Sequence, residues 1–274
     1  MLKRILSAGM LITVMGSVVV ISIFFSFIID VFIALICVCC VFEFCKAVKT
    51  LKIYQISITS MLFSCMYSLL ISFGLSELAF YGYTIIMLCM LVFFHEKISF
   101  KDFAYTYSMT ILITLSLSAV VKMKSVDELH ITMYFIMSIA IPWLADVGAY
   151  FTGVFLGKHK LCPKISPKKT IEGAVGGVLF CIFSSVILSY LIVLIFYQGK
   201  GDINYLTVVI IGTGGSLLSI IGDLSFSVIK RAYSVKDYGD LIPGHGGILD
   251  RFDSVITFVP YMYAVMLYFS VISV

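Results

Sequence analysis

Charge is scarce in this 274-residue chain. Asp, Glu, Lys and Arg make up 12%, about half the share of roughly 25% found in ordinary soluble domains. Hydrophobic residues make up 61%, and the mean hydropathy is +1.11. A soluble globule of this length has too little interior to hide so much apolar surface. Intrinsic disorder is excluded by the same composition, because disordered chains are poor in apolar residues. The apolar runs lack the every-second-residue alternation of outer-membrane strands. No repeat, low-complexity tract or soluble-domain-sized polar insert interrupts them. What is there is the pattern of an all-α, polytopic integral membrane protein. Its eight cysteines sit mostly inside apolar runs and read as small, reduced hydrophobes, not as a disulfide framework.

A spanning helix needs about 20 apolar residues. The stretch from Ile5 to Phe42 is broken only by Asp30 and is too long for one helix. It predicts two spans with a tight turn near Ser26 to Asp30. Its opening run is also too long for a signal-peptide core, and no small-residue cleavage site follows it. Further spans are expected at about 53–73, 76–94, 103–121, 131–156, 173–197, 205–226 and 255–273, nine in all. With an inward N-terminus, sixteen of the nineteen basic residues fall on one side; only Lys122, Lys124 and Lys200 fall on the other. The positive-inside rule makes the crowded side the cytoplasm. Residues 1–130 read as about five scaffold helices with faces suited to a homodimer. Residues 131–274 read as a second transmembrane region that concentrates the unusual residues, with cytoplasmic loops at 157–172 and 227–254.

The second half carries the unusual residues. Asp146 lies one helical turn before Ala149, Gly153 and Gly157, a small-residue stripe that lets another helix approach closely. An intramembrane carboxylate is costly and faces protein or a wet cavity. Asp146 is either a hydrogen-bonded structural group or a cation or substrate contact. The next loop holds five lysines between 158 and 169 and runs through Ser166-Pro-Lys168-Lys169-Thr170 into a helix. Interfacial lysines hold anionic headgroups, and hydroxyls and cations at a helix N-terminus favour phosphate. Gly212, Ser216, Ser219 and Asp223 share one helix face, which Ser227 and Lys230 extend if that helix continues.

The densest segment runs from Ser227 to Asp253. It contains Lys230, Arg231, Lys236, Asp237, Asp240, the turn Pro243-Gly244-His245-Gly246-Gly247, then Asp250, Arg251 and Asp253. The glycines permit positive φ and close backbone approach, as a loop around phosphates needs. Asp250 and Asp253 share a helical face, and Asp250 can combine with Asp223 of the neighbouring span into a Mg²⁺ site, since that ion takes a few carboxylates plus phosphate oxygens.

This segment resembles the phosphatidate cytidylyltransferases, the CDP-diacylglycerol synthases. Their pattern runs S-x-hydrophobic-K-R, four residues, K-D, then P-x-H-G-G and D-R-x-D. It is met at every position from Ser227 to Asp253. The stretches Asp146-Val-Gly-Ala-Tyr, Gly157-Lys-His-Lys-Leu and Ser166-Pro-Lys-Lys-Thr-x-Glu-Gly are similar too, and the motif match covers about 143–177 and 212–254. Val154 departs from the pattern, where relatives often carry a basic residue.

The resemblance implies transfer of CMP from CTP to phosphatidate, with release of pyrophosphate. It implies Mg²⁺ as cofactor; a two-ion arrangement and an added monovalent ion are both compatible with that chemistry. Nucleic acid is not expected as a partner. Asp223 and Asp250 lead as metal ligands, with Asp253 and Asp146 behind them. Lys230, Arg231, Lys236 and Arg251 would neutralise phosphates, with Asp237 beside them. His245 would bind phosphate or fix its loop. Ser166, Lys168, Lys169 and Thr170, with Gly244, Gly246 and Gly247, would line the substrate cavity. Two rivals remain at this level: a CTP-dependent lipid-alcohol kinase, and an ion-coupled transporter using Asp146 and Asp223.

Overall fold

The computed structural model describes residues 2–244 and 246–273. Among these are nine α-helices: α1 (Leu2–Ser22), α2 (Phe27–Ala47), α3 (Tyr54–Leu70), α4 (Ser76–Phe93), α5 (Phe100–Lys122), α6 (Ile131–Leu156), α7 (Ile171–Phe196), α8 (Tyr205–Ala232) and α9 (Leu249–Met266). Seven of them, α2 to α8, are long and apolar enough to cross a membrane. The protein is therefore a polytopic membrane protein. The apolar part of α1, Gly9–Ser22, is shorter, and α9 opens with Asp250, Arg251 and Asp253.

The long first run is indeed divided, but the break falls at residues 23–26, ahead of Asp30. Asp30 lies in the first turn of α2, where the positive end of the helix dipole favours a carboxylate. It is buried, and its Oδ2 accepts a hydrogen bond from Ser72 Oγ at 2.5 Å. So satisfied, it does not stop the helix. The other clear departures are at the ends of the last span. α9 starts at Leu249, not near 255, and stops at Met266. The chain then returns as strand β4 (Ile272–Ser273), antiparallel to β3 (Asp202–Ile203).

The chain divides into two compact units. One holds the chain through Lys122 together with Ala232–Phe252. The other holds Met123–Arg231 and Asp253–Val274.

In the first unit α2, α3 and α5 pack closely, with α4 against α3. Lipid tails give no hydrophobic drive between membrane helices, so small hydroxyl residues and close packing hold them. α3 buries Ser57, Ser60, Ser64 and Ser68; α5 buries Thr106, Thr110, Thr114 and Ser118. The two rows meet at Ser68–Ser118 (2.7 Å) and at Thr114 donating to Ser64 (3.0 Å). Beside them Phe63 stacks on Tyr83, with ring centroids 4.1 Å apart, and Tyr83 continues onto Tyr107.

The second unit is built on glycine. α6 and α7 lie close because Gly148 faces the Phe180 ring and Gly176 faces Thr152, with no room for a side chain. Gly177 packs against Ala149, which bears out the predicted small-residue stripe. In α8, Gly215 lies against Phe258 of α9 and Ile141 of α6, and Gly222 against Thr257 and the Asp253 backbone. α8 runs on to Ala232, so Ser227 and Lys230 do extend the face that carries Asp223.

Candidate active site

The second unit gathers three carboxylates and two lysines from four elements. Asp146 comes from the middle of α6, Asp223 and Lys230 from α8, Asp253 from α9, and Lys169 from strand β2 (Ser166–Thr170). Lys169 Nζ is ion-paired with Asp223 Oδ2. Lys230 Nζ stands 3.8 Å from Asp253 Oδ2, both side chains being about nine-tenths buried. Ser219 Oγ donates to Asp146 Oδ1 at 3.0 Å, and the Ser254 amide donates to Asp253 Oδ1 at 2.8 Å. Asp146 and Asp253 each feel the charge of Asp223. Three carboxyl groups share two ammoniums here, in a setting where uncompensated charge is costly.

The lysine-rich stretch does not simply open a helix as its sequence suggested. It forms an antiparallel hairpin, β1 (Lys160–Cys162) with β2, and only Thr170 belongs to the helix start. Thr170 is the N-cap of α7: its Oγ1 accepts from Gly173 N at 3.1 Å, satisfying a helix-terminal amide. Glu172, in the first turn of α7, accepts from the amides of Lys158 and His159 and bonds His159 Nδ1 at 2.6 Å. The hairpin is thus pinned at both feet, with Lys169 half-buried, Lys168 exposed and Ser166 beside its turn, opposite Cys162.

The other candidate residues belong to the first unit, in the segment Ala232–Phe252. Asp250 lies in the first turn of α9. Its Oδ2 accepts from the amides of Tyr238 (2.8 Å) and Gly247 (3.2 Å), closing the glycine turn. Gly244 and Gly246 have φ of +81° and +87°, a region open mainly to glycine. Lys236, Asp237 and Arg251 are exposed, as is Arg231 in the second unit. Lys46 of α2 donates to Asp240 at 2.9 Å. That hydrogen bond, with the lysine's charge, holds the Asp240 carboxyl below its ordinary value. His245 lies outside the described residues.

Hard divalent cations take oxygen ligands, and the carboxylates of Asp146, Asp223 and Asp253 are of that type. Among the described residues, no three His, Cys, Asp or Glu side chains are close enough together to enclose an ion. The donors therefore suit a hard cation in kind, and lysines stand against two of them.

Sequence reasoning missed Glu43 and Glu172. Glu43 had a legible signal: it is the one acidic residue between Asp30 and Glu77 in a strongly apolar run. Glu172 stood inside the family-like stretch Ser166-Pro-Lys-Lys-Thr-x-Glu-Gly, but nothing in the spacing showed that it holds the amides of Lys158 and His159.

A buried polar cluster of this kind, in a helical membrane protein, is the setting of an enzyme that handles highly charged substrates at a lipid surface. The chain belongs to the cytidylyltransferase family, whose model matches residues 2–269. It is 34% identical over 194 residues to a phosphatidate cytidylyltransferase of Bacillus subtilis, covering 71% of this chain and 69% of that protein. It is 38% identical over 177 residues to one from Staphylococcus aureus, covering 64% of this chain and 63% of the relative. A third, from Haemophilus influenzae, matches at 38% over 138 residues, 49% of this chain and 46% of the relative. The chain is thus a nucleotidyltransferase homologous to the phosphatidate cytidylyltransferases.

Proposed function

We propose that this chain transfers the cytidylyl group of CTP to phosphatidate, forming CDP-diacylglycerol and pyrophosphate, with its site at the cytoplasmic side of a bacterial inner membrane. One phosphate oxygen of the lipid forms the new bond to the α-phosphorus of CTP. The bond from that phosphorus to the β-phosphate bridging oxygen breaks, and pyrophosphate leaves with the electron pair. The second ionisation of a phosphate monoester lies near pH 6, so the nucleophile is already anionic and needs no strong base. The obstacle is repulsion between two polyanions. Catalysis then consists of positioning and charge neutralisation.

The observation that carries this reading is the cluster of Asp146, Asp223, Asp253, Lys169 and Lys230, buried at Asp253 and Lys230 and half-buried at the other three. Both of its lysines stand against carboxylates. Incoming phosphates compete for those ammoniums, so Lys169 and Lys230 exchange carboxylate for phosphate as substrate arrives. The carboxylates released in the exchange are the groups that would hold Mg²⁺; bound there, the ion supplies charge neutralisation for the departing pyrophosphate. Asp223 and Asp250 are the carboxylates on which turnover depends most. Lys236, Arg231 and Arg251 are exposed cations suited to the nucleotide's phosphates; Arg's planar fork favours bidentate contact. The acyl chains stay in the bilayer throughout, which is why the enzyme is a membrane protein. The basic bias of one set of loops, sixteen of nineteen residues, supports the sidedness.

The test is turnover of radiolabelled CTP by purified chain in nanodiscs containing phosphatidate, with and without Mg²⁺. Labelled CDP-diacylglycerol and stoichiometric pyrophosphate, both lost on chelation, are expected. Release of CDP with phosphorylation of a lipid alcohol would overturn the assignment in favour of the kinase. Ion flux without CTP turnover would overturn it in favour of the transporter.

A further inference from the structure

We propose that Glu43, on the second helix of the first unit, is a positioning residue for cytidylyl transfer: it fixes the Tyr238–Leu249 segment and thereby the direction of Asp250. The proposal rests on the functional reading above, in which that segment works on the nucleotide. Glu43 is fully buried, four residues before the end of a helix whose other charged residues, Asp30 and Lys46, lie in its first and last turns. Its Oε2 accepts the Leu249 amide at 2.8 Å, and Leu249 is the first residue of α9. The carboxylate therefore caps that helix from a distant part of the chain, doing what an N-cap side chain normally does locally.

Two glycines of the motif are shaped around it. A methyl group on Gly239 or on Gly247 would overlap the Glu43 carboxylate. Neither glycine has a positive φ, so conformational freedom does not explain them; space for Glu43 does. Asp250 then closes the same segment from the other side, through the Tyr238 and Gly247 amides. Two carboxylates, one from α2 and one from α9, thus clasp a single loop by its backbone. Neighbouring residues of α2 strengthen the seat: Phe44 lies against Tyr238, ring centroids 6.4 Å apart, and Lys46 holds Asp240. A carboxylate in a spanning helix needs such a reason to be there.

The experiment uses the full chain in nanodiscs and two readouts. In the CTP-plus-phosphatidate assay, Glu43→Ala should lower kcat at least ~100-fold, the scale of a misplacement of about 1 Å, with KM for CTP changed far less. Glu43→Gln, which keeps the volume and an acceptor, should recover at least ~10-fold of that. Gly247→Ala should be damaging in the wild-type background and add almost nothing to Glu43→Ala, since the overlapping group is gone. Hydrogen exchange supplies the second readout: Glu43→Ala should speed exchange at Tyr238 and Leu249 while leaving α3 and α5 protected. Wild-type kcat in Glu43→Ala, a loss matched by loss of folded protein, or simple additivity with Gly247→Ala would overturn the proposal. If the wild-type chain itself lacks turnover, the functional reading fails, and the exchange result still decides whether Glu43 holds the loop.

Discussion

The two units bury acidic groups in different ways. In the first, Asp30, Glu43 and Asp250 are met by a hydroxyl or by backbone amides. In the second, lysine side chains are added: Lys169 meets Asp223, and Lys230 faces Asp253, which also takes the Ser254 amide, while Asp146 takes the Ser219 hydroxyl. A backbone amide is fixed by the fold, so a carboxylate that takes one fixes chain geometry in return. A lysine ammonium sits on a flexible four-carbon stem and can leave for a competing anion. The first arrangement builds a frame; the second builds a site that exchanges partners. The helix packing differs to match: rows of hydroxyls and stacked rings in the first unit, glycine contacts in the second.

The sharpest way to break this contrast is to neutralise one carboxylate of each kind. Asp223→Asn and Asp250→Asn should each reduce CTP turnover by about 10³-fold or more, the scale of removing a preorganised electrostatic contact. Only Asp250→Asn should also speed hydrogen exchange at Tyr238 and Gly247. Equal exchange behaviour would erase the distinction between frame and site.

Next in size is the glycine packing of the second unit. Gly176→Ala should cost about 1–3 kcal/mol through overlap with Thr152, measured by denaturation in mild detergent. Thr152→Ala in the same chain should restore most of the loss. In the first unit Ser68→Ala removes one interhelical hydroxyl bond and should cost only about 0.6 kcal/mol, the average for such bonds between membrane helices. A larger loss from Ser68→Ala than from Gly176→Ala would reverse the packing comparison.

The smallest effect is confined to one loop of the second unit. Asp127 Oδ2 bonds His130 Nδ1 and Tyr134 OH, each at 2.7 Å, and Oδ1 accepts the His130 amide at 3.3 Å. Desolvation alone would raise this carboxyl, but the hydrogen bonds from Tyr134 and His130 outweigh it and hold it below its ordinary value. A lowered folded-state pKa stabilises above the unfolded value, near 4, and that contribution is lost as pH falls through the folded one. The His130 amide should therefore lose protection below about pH 4, relative to Asp127→Asn, which should show no such step. Exchange measured by mass spectrometry against that variant decides it.

Much of this was legible along the chain. The spans at 131–156 and near 205–226 appear as α6 and α8 because apolar runs of that length leave the backbone only a helix in which to satisfy its hydrogen bonds in lipid. The stripe of Ala149 and Gly153 announced a close neighbour, and α7 supplies it. The lysine hairpin was not legible. Ser-Pro-Lys-Lys-Thr reads equally as a helix start, and its strand pairing depends on Lys160–Cys162 upstream, whose preceding residues Lys158 and His159 are held by Glu172. Nor was Glu43's role, although the residue itself stood out, because its partners lie about two hundred residues away.

The sequence by itself determined the membrane, the helices and the chemical type of the residues in the Ser227–Asp253 motif, since hydropathy and residue identity are local properties. Only the tertiary structure decided which acidic group meets an amide and which meets a lysine. That choice depends on what the folded chain brings within three ångströms, and no spacing along the chain encodes it.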